Sequence, residues 1–345
     1  MKKTETDDSP YLWDRSGEPD PEVVRLETLL GQLRQHGTPP ALPDRPRRGV
    51  RVSTWTMGVL SAAAAVLLLA AVGWVVLERT RNGWSVQTIT GTPSVDGVRA
   101  GGAGSTAGVR LGIGEWLVTD GSSRARIAIG QIGRVDVEPN TRLQLMEARG
   151  REHRMALARG TIHSRIWAPP KFFYVNTPSA TAIDLGCEYT LQVDDTGAGL
   201  IRVTLGWVGF EGDGREAFIP EGAVGATRPG VGPGTPYYED APSGYGEALA
   251  ILDFGRLDDP ERGAAFELIV SAARRRDALT LWHLLSRGTT AERARVFDRL
   301  AALAPPPRAV TRAAVLAGNR RALDQWWDSL GIDNTTWWKL KKKKL

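Results

Sequence analysis

The sequence predicts a single-span membrane protein in which an all-β domain, either a sandwich or a solenoid-like fold, is followed by a small all-α domain. Three observations predict this fold class. An uncharged apolar run occupies residues 55–77, apolar and polar residues alternate with a period of two from residue 84, and apolar residues recur at helical spacing after residue 258. Because side chains alternate in a strand and repeat every 3.6 residues in a helix, the change of period separates the two domains.

The run from Trp55 to Leu77 is expected to be a transmembrane helix. At about 1.5 Å per helical residue it crosses a hydrocarbon layer about 30 Å thick. Arginines are more numerous before the run than after it: Arg45, Arg47, Arg48 and Arg51 against Arg79 and Arg81. The positive-inside rule therefore places the N-terminus in the cytoplasm. A signal peptide is the nearest alternative, but this run is longer than a signal-peptide core and has no small-x-small cleavage site after it.

Residues 1–54 are expected to form a cytoplasmic segment with one amphipathic helix, residues 22–34, and a Pro-rich linker to the membrane. Pro21 suits the first helical position, and Glu22 suits the positive end of the helix dipole. The apolar stripe consists of Val23, Leu26, Leu30 and Leu33. A segment of this length cannot bury the stripe within a core of its own. We expect it to dock on a partner, with an interfacial or self-packing helix as the alternative.

Residues 84–235 are expected to form the β domain. Ala125, Ile127 and Ile129 alternate with polar or smaller residues, and the same period recurs in the segments that follow. Turn signals such as Asp120-Gly121 separate the runs. Antiparallel pairing is expected because no helical pattern falls between the strands. The Gly/Pro-rich stretch that begins at Arg228 is expected to leave the sheet as a linker or strap.

Residues 258–332 are expected to form the helical domain. Thr289 with Glu292 forms a capping box, and Asn319 is an N-cap for a last helix. Residues 333–345 form a basic tail with two tryptophans and a lysine cluster, a composition typical of segments that bind anionic headgroups. A solvated tail is the alternative for this stretch.

Catalytic chemistry is not indicated, and we expect no enzyme activity. The sequence has no serine-hydrolase, zinc-protease or P-loop motif. With one cysteine and four histidines, no cofactor or metal site is expected. Cys187 is read as a small core hydrophobe. The net charge of +5 is concentrated in the C-terminal part; if that part lies outside the cytoplasm, anionic lipid or an envelope polymer replaces nucleic acid as its partner.

Six short motifs in the β domain occur in an order that resembles the FecR domain. They are Gly114–Thr119, Ser123–Ala125, Val135–Thr141, Ala158–Thr161, Phe173–Pro178 and Gly206–Val208. The resemblance implies a bacterial inner-membrane protein with a periplasmic β domain and a cytoplasmic region that binds or modulates an extracytoplasmic-function sigma factor. The sequence departs from the family in three places. It has Gly186-Cys187-Glu188-Tyr189 where the family usually has Gly-Thr-x-Phe, and its C-terminal part is helical. Its cytoplasmic region is also shorter than the usual sigma-binding domain and carries no zinc-finger ligands.

Two functions follow from these observations. In the first, an inner-membrane anti-sigma-like regulator transmits a periplasmic signal from an unidentified ligand or protein to a sigma factor. The contact would be made by Val23, Leu26, Leu30 and Leu33. In the second, the chain is an envelope scaffold that binds polysaccharide or protein and makes no contact with a sigma factor.

Overall fold

The computed structural model describes residues 16, 19, 21–32, 67, 83–99, 109–150 and 152–332. Apart from Leu67, the predicted span at 55–77 lies outside these residues, as do the Pro-rich linker and the tail at 333–345. Within the described residues no helix combines the length and the apolar character that crossing a bilayer requires. The span and its orientation therefore stay predictions. The chain forms two compact units, Met1–Ala64 and Ala65–Leu345.

The first unit contains helix α1 (Pro21–Gly31). Proline suits the first turn because its missing N–H would have no helical acceptor there. The Thr28 hydroxyl donates to the Val24 carbonyl one turn earlier, at 2.8 Å. The helix ends at Gly31, before the predicted end at residue 34. Glycine costs about 1 kcal/mol relative to alanine in a helix. The prediction followed the apolar spacing to residue 34 and did not include this cost.

The second unit is mostly β-sheet with a C-terminal helical part. In chain order its strands are β1 (Trp84–Thr90), β2 (Ser94–Val95), β3 (Val98–Arg99), β4 (Val109–Leu111), β5 (Trp116–Val118), β6 (Arg124–Ile129), β7 (Gly133–Val137), β8 (Arg142–Arg149), β9 (Glu152–Ile166), β10 (Phe173–Asn176), β11 (Thr181–Asp184), β12 (Glu188–Val193), β13 (Gly199–Leu205), β14 (Trp207–Gly212), β15 (Arg215–Pro220), β16 (Ala223–Arg228), β17 (Gly232–Pro233) and β18 (Tyr237–Tyr238).

These strands pair into two sheets that share β9, which we call the first and the second ladder. The first ladder runs β4-β1-β6-β7-β9-β12-β13-β16, with β17 and β18 both paired to β16. The second runs β3-β2-β5-β8-β9-β10-β11-β14-β15. Buried residues of both ladders, including Ile127, Val135, Leu143 and Leu145, belong to one hydrophobic core. This arrangement is that of a sandwich rather than a solenoid.

Strand β9 changes ladder at Gly160. Its first half pairs with β8, and its second half, from Gly160, pairs with β12. Gly160 has φ +98°, and a Cβ there would lie 2.3 Å from Thr141 Oγ1. Any side chain at this position would be strained and would clash, so the bend requires glycine.

The expectation of antiparallel pairing fails at β10, which pairs with β9 in parallel, Phe173 opposite His153. The chain leaves the second ladder at Gly160, runs through the first ladder, and returns at Phe173. This excursion serves as the crossover connection that a parallel pair needs. Pairing also continues past the predicted boundary at 235, because β18 pairs with β16, and β17, inside the Gly/Pro-rich stretch, pairs with β16 as well. The Gly/Pro-rich stretch is thus part of the sheet edge, where a proline is tolerated.

The helical part begins earlier than the predicted residue 258. Its helices are α2 (Tyr245–Phe254), α3 (Arg262–Ala272), α4 (Ala278–Leu284), α5 (Thr290–Leu303), α6 (Arg312–Leu316) and α7 (Arg320–Leu330), with one 3-10 turn (Arg275–Asp277) before α4. The predicted caps are confirmed. Thr289 and Glu292 cap α5 reciprocally, and the Asn319 side chain accepts from the Ala322 N–H at the start of α7. A second hydrophobic core, which includes Leu281, Leu300 and Trp326, lies among these helices.

Candidate functional site

The apolar face of α1 carries the predicted contact residues. Leu26 is 57% exposed and Leu30 is 59% exposed, whereas Val23 is half-buried. Leu33, the fourth predicted residue, lies outside the described residues. Leu29 and Val24 are also exposed and widen the apolar surface beyond the predicted stripe. An exposed cluster of large apolar side chains on one short helix is typical of a contact surface.

In the second unit, the helical part packs directly on the edge of the sandwich, along a boundary that we call the seam. The seam is the contact of β15 and of residues 233–236 with α2, α4, α7 and Arg287, which follows α4. Leu279 of α4 and Trp327 of α7 belong to the hydrophobic core of the sandwich rather than to the core of the helices. The Thr280 hydroxyl donates to the Pro236 carbonyl at 2.8 Å. The two parts of this unit are therefore joined by buried contacts rather than by a linker alone.

His283 bonds both sides of the seam. Its Nε2 accepts from the Phe218 N–H of β15 at 3.1 Å, and its Nδ1 lies 2.8 Å from the Leu279 carbonyl. Only the neutral imidazole with its proton on Nδ1 satisfies both contacts. Burial, with a smaller contribution from Arg287, lowers the pKa of His283 to about 3. The imidazole is thus an uncharged structural bridge at neutral pH.

Buried charges complete the seam. Asp253, at the end of α2, accepts from the Thr235 N–H at 2.6 Å and from the Thr235 hydroxyl at 3.1 Å. Arg287 donates through Nη1 to the Pro233 carbonyl, the Thr235 hydroxyl and Asp253, and through Nη2 to the Glu216 carbonyl. The Asp253 and Arg287 side chains are only 3% and 8% exposed. Such a pair is tolerable in the interior because hydrogen bonds satisfy both partners.

A cleft of about 470 Å³ opens along the seam, between the β14–β15 hairpin and the helices. We call it the seam cleft. Its lining includes the arginines Arg215, Arg287, Arg293 and Arg320, the carboxylates Glu216 and Asp324, and the rings of Phe218, Trp282 and His283. A second cavity, of about 490 Å³, also borders this hairpin and shares Gly214, Arg215 and Glu216 with the first.

Cys187 lies in the core of the sandwich, as predicted, and is 2% exposed. Its thiol lies 2.9 Å from Asp184 Oδ2, and the other oxygen of Asp184 accepts from the Gly186 N–H. Burial raises the pKa of Asp184 to about 7 and raises the pKa of the Cys187 thiol well above its usual value. A thiol in this setting is a poor nucleophile.

The sequence did not point to the seam. Asp253 and Arg287 are 34 residues apart and carry charges that normally lie on the surface. Helix α2, which holds Asp253, does show a usable signal, because Ala248, Leu249 and Leu252 follow helical spacing. Within the described part of the chain, no three His, Cys, Asp or Glu side chains are grouped so as to hold a metal ion.

Comparison with known families and with curated proteins gives no match. Two crystal structures of a candidate anti-sigma factor from Parabacteroides distasonis, at 1.65 Å and 2.50 Å resolution, align with part of the chain at 13% identity and a TM-score of 0.32. Each alignment covers 39% of this chain, together with 63% of the first structure's chain and 62% of the second's. The likeness is distant and spans less than two thirds of the length of either structure.

Proposed function

We propose that this chain is a single-span regulator of the bacterial inner membrane. In this proposal the β–α unit lies in the periplasm and receives a signal, and α1 lies in the cytoplasm and contacts an extracytoplasmic-function sigma factor. The uncharged run at residues 55–77 and the arginines before it support the membrane topology. The six FecR-like motifs support the nature of the partner.

The exposed leucines of α1 are the observation that carries the proposal. Leu26 and Leu30 stand one helical turn apart, and each is more than half exposed. Leaving such side chains in water forgoes about 1.5–3 kcal/mol of burial free energy for each. A helix of eleven residues is also marginal in water without tertiary contacts. A protein partner would both cover the leucines and stabilise the helix.

Capture of a sigma factor by the full chain tests the proposal. Replacing Leu26 and Leu30 by Asp puts two charges in the expected contact. Loss of two leucine contacts of about 1.5–3 kcal/mol each should weaken binding about a hundredfold or more. Quantitative pull-down, with the sigma factors of the same organism as candidate partners, measures the effect.

A matched control is available on the polar side of the same segment. Thr28→Asp with Gln32→Asp adds the same two charges at the same spacing, on residues outside the leucine stripe. This variant should be captured as well as the native chain. Equal loss in both variants would attribute the effect to charge or helix stability. Equal capture of all three chains would contradict the proposal.

An envelope scaffold is the second candidate. The specific observation that favours it is the seam cleft, a pocket in the β–α unit whose use needs no contact from α1. Retention of the native chain by envelope polysaccharide, combined with no capture of any sigma factor, is the outcome that this candidate predicts.

A further inference from the structure

The seam cleft has the size and position of a small-molecule site. Its volume of about 470 Å³ falls within the range of about 300–1,000 Å³ that ligand pockets occupy. It also lies where two packed layers meet, a common place for ligands to bind.

A hydrogen bond and ring contacts hold the aromatic floor of the cleft. The Trp282 indole donates to the Leu323 carbonyl at 3.1 Å and packs on Trp327, with ring centroids 4.6 Å apart. Phe218 packs on Trp327 at 5.9 Å and is held through its N–H by His283. A surface that is already ordered loses little conformational entropy when a ligand covers it.

The charges of the cleft are not balanced by its own carboxylates. Arg287 donates through both terminal nitrogens to Asp253 and to the carbonyl groups of the seam. Arg293, by contrast, donates to the Leu316 and Gly288 carbonyls, and its buried Nε–H has no acceptor among the described residues.

Arg320 lies at the rim, at the start of α7. Its side chain is exposed, and in the ranges that the structure describes it forms no ion pair. Of the four arginines that line the cleft, Arg215 and Arg287 lie within 4.0 Å of the buried Asp253 carboxylate, and His283 is neutral. Arg293 and Arg320 are the two that pair with no carboxylate among the described residues. Guanidinium groups that lack a carboxylate partner suit a carboxylate or phosphate oxygen.

We propose that the seam cleft binds a small organic anion whose carboxylate or phosphate contacts Arg293 and Arg320 and whose ring or apolar portion covers Trp282 and Phe218. The inference names the class of ligand that the β–α unit of the proposed regulator senses. It rests on the proposed function only in that the bound ligand acts as the signal. Binding itself does not involve α1. Failure of this inference and failure of sigma-factor capture are therefore seen in separate experiments.

Isothermal titration of the purified full chain tests the inference with three probes that share one ring. These are D-glucuronate, D-glucose 6-phosphate and D-glucose. At least one anionic probe should bind, and neutral glucose should not. Binding of glucuronate alone would identify a carboxylate site, and binding of the phosphate ester alone a phosphate site. Either result supports the anion assignment.

Two charge reversals locate the binding. Arg320→Glu should weaken binding of the anion by at least about tenfold, because an attractive charge becomes a repulsive one. Arg321→Glu, the matched control, makes the same change at the next residue of α7, which is exposed and outside the cleft. Acidic residues are favourable in the first turn of a helix, so both variants should fold. Equal weakening by both variants, binding of glucose as tight as that of the anions, or no binding of either anion in the millimolar range would overturn the inference.

Discussion

The core of the sandwich buries apolar side chains, whereas the seam buries charged and polar side chains that are hydrogen-bonded. Leu143, Leu145 and Met155 are completely buried and present no polar atoms that need partners. The seam instead buries Asp253, Arg287 and His283 and satisfies them with hydrogen bonds from several elements. Apolar packing tolerates small shifts, whereas a buried ion pair has to be satisfied in full. The seam therefore fixes how the helices sit on the sandwich, and the core supplies most of the apolar burial.

The largest effect is expected from breaking the buried ion pair. Asp253→Ala leaves the Arg287 guanidinium buried without its carboxylate, and such a loss destabilises by about 3–5 kcal/mol. Denaturant unfolding of the full chain, followed by tryptophan fluorescence, measures the change. Relative to the native chain, amide hydrogen exchange should speed up more in α2, α4 and β15 than in β6 and β7, because the damage lies in the seam.

The double variant Asp253→Ala with Arg287→Met is the control. It removes both charges together, so much of the lost stability should return. A double variant that is as unstable as the sum of its two single variants would show that the charges act independently. That result would contradict the description of the seam as one network.

A smaller change in the free energy of unfolding is expected from pH. Titration of His283 in the seam and of Asp184 in the core should change it in opposite directions. The folded-state pKa of His283, about 3, lies below the ordinary value of 6.5. The unfolded chain therefore binds more protons between pH 3 and 6.5, and the contribution of His283 is lost as pH falls through this window. The folded-state pKa of Asp184, about 7, lies above the ordinary value of 3.8. The folded chain holds that proton, so the contribution of Asp184 is lost as pH rises from about 4 to 7.

Two variants separate these opposing slopes, each of which reaches at most about 1.4 kcal/mol per pH unit. His283→Gln removes the seam titration, so relative to the native chain the free energy of unfolding should fall more steeply as pH rises from 4 to 6.5. Asp184→Asn removes the core titration, so the same free energy should rise more steeply with pH. Unfolding curves at pH 4, 5, 6 and 7 measure both slopes. Unchanged slopes in either variant would contradict the assigned protonation state of that residue.

The sandwich was open to prediction because each strand shows its buried face in its own sequence. Ala125, Ile127 and Ile129 alternate in the sequence and are all buried. The ladder switch at Gly160 and the parallel pair of β9 with β10 were not predictable, because they depend on contacts between distant segments. The seam was missed for a similar reason. Sequence patterns assign an arginine or aspartate to the surface, because its buried partner is known only from the structure.

The central claim is that α1 and the β–α unit lie on opposite sides of a membrane, and cysteine labelling in intact cells tests it most directly. Ser16 and Arg256 are both exposed, the Arg256 side chain by 85%. The single natural cysteine, Cys187, is buried and should give the native chain little background.

With the outer membrane permeabilised, a membrane-impermeant maleimide should label Arg256→Cys at once and Ser16→Cys only after the inner membrane is disrupted. Labelling of Arg256→Cys only after disruption would place the β–α unit in the cytoplasm. Such a result would contradict the account of a signal that crosses the membrane.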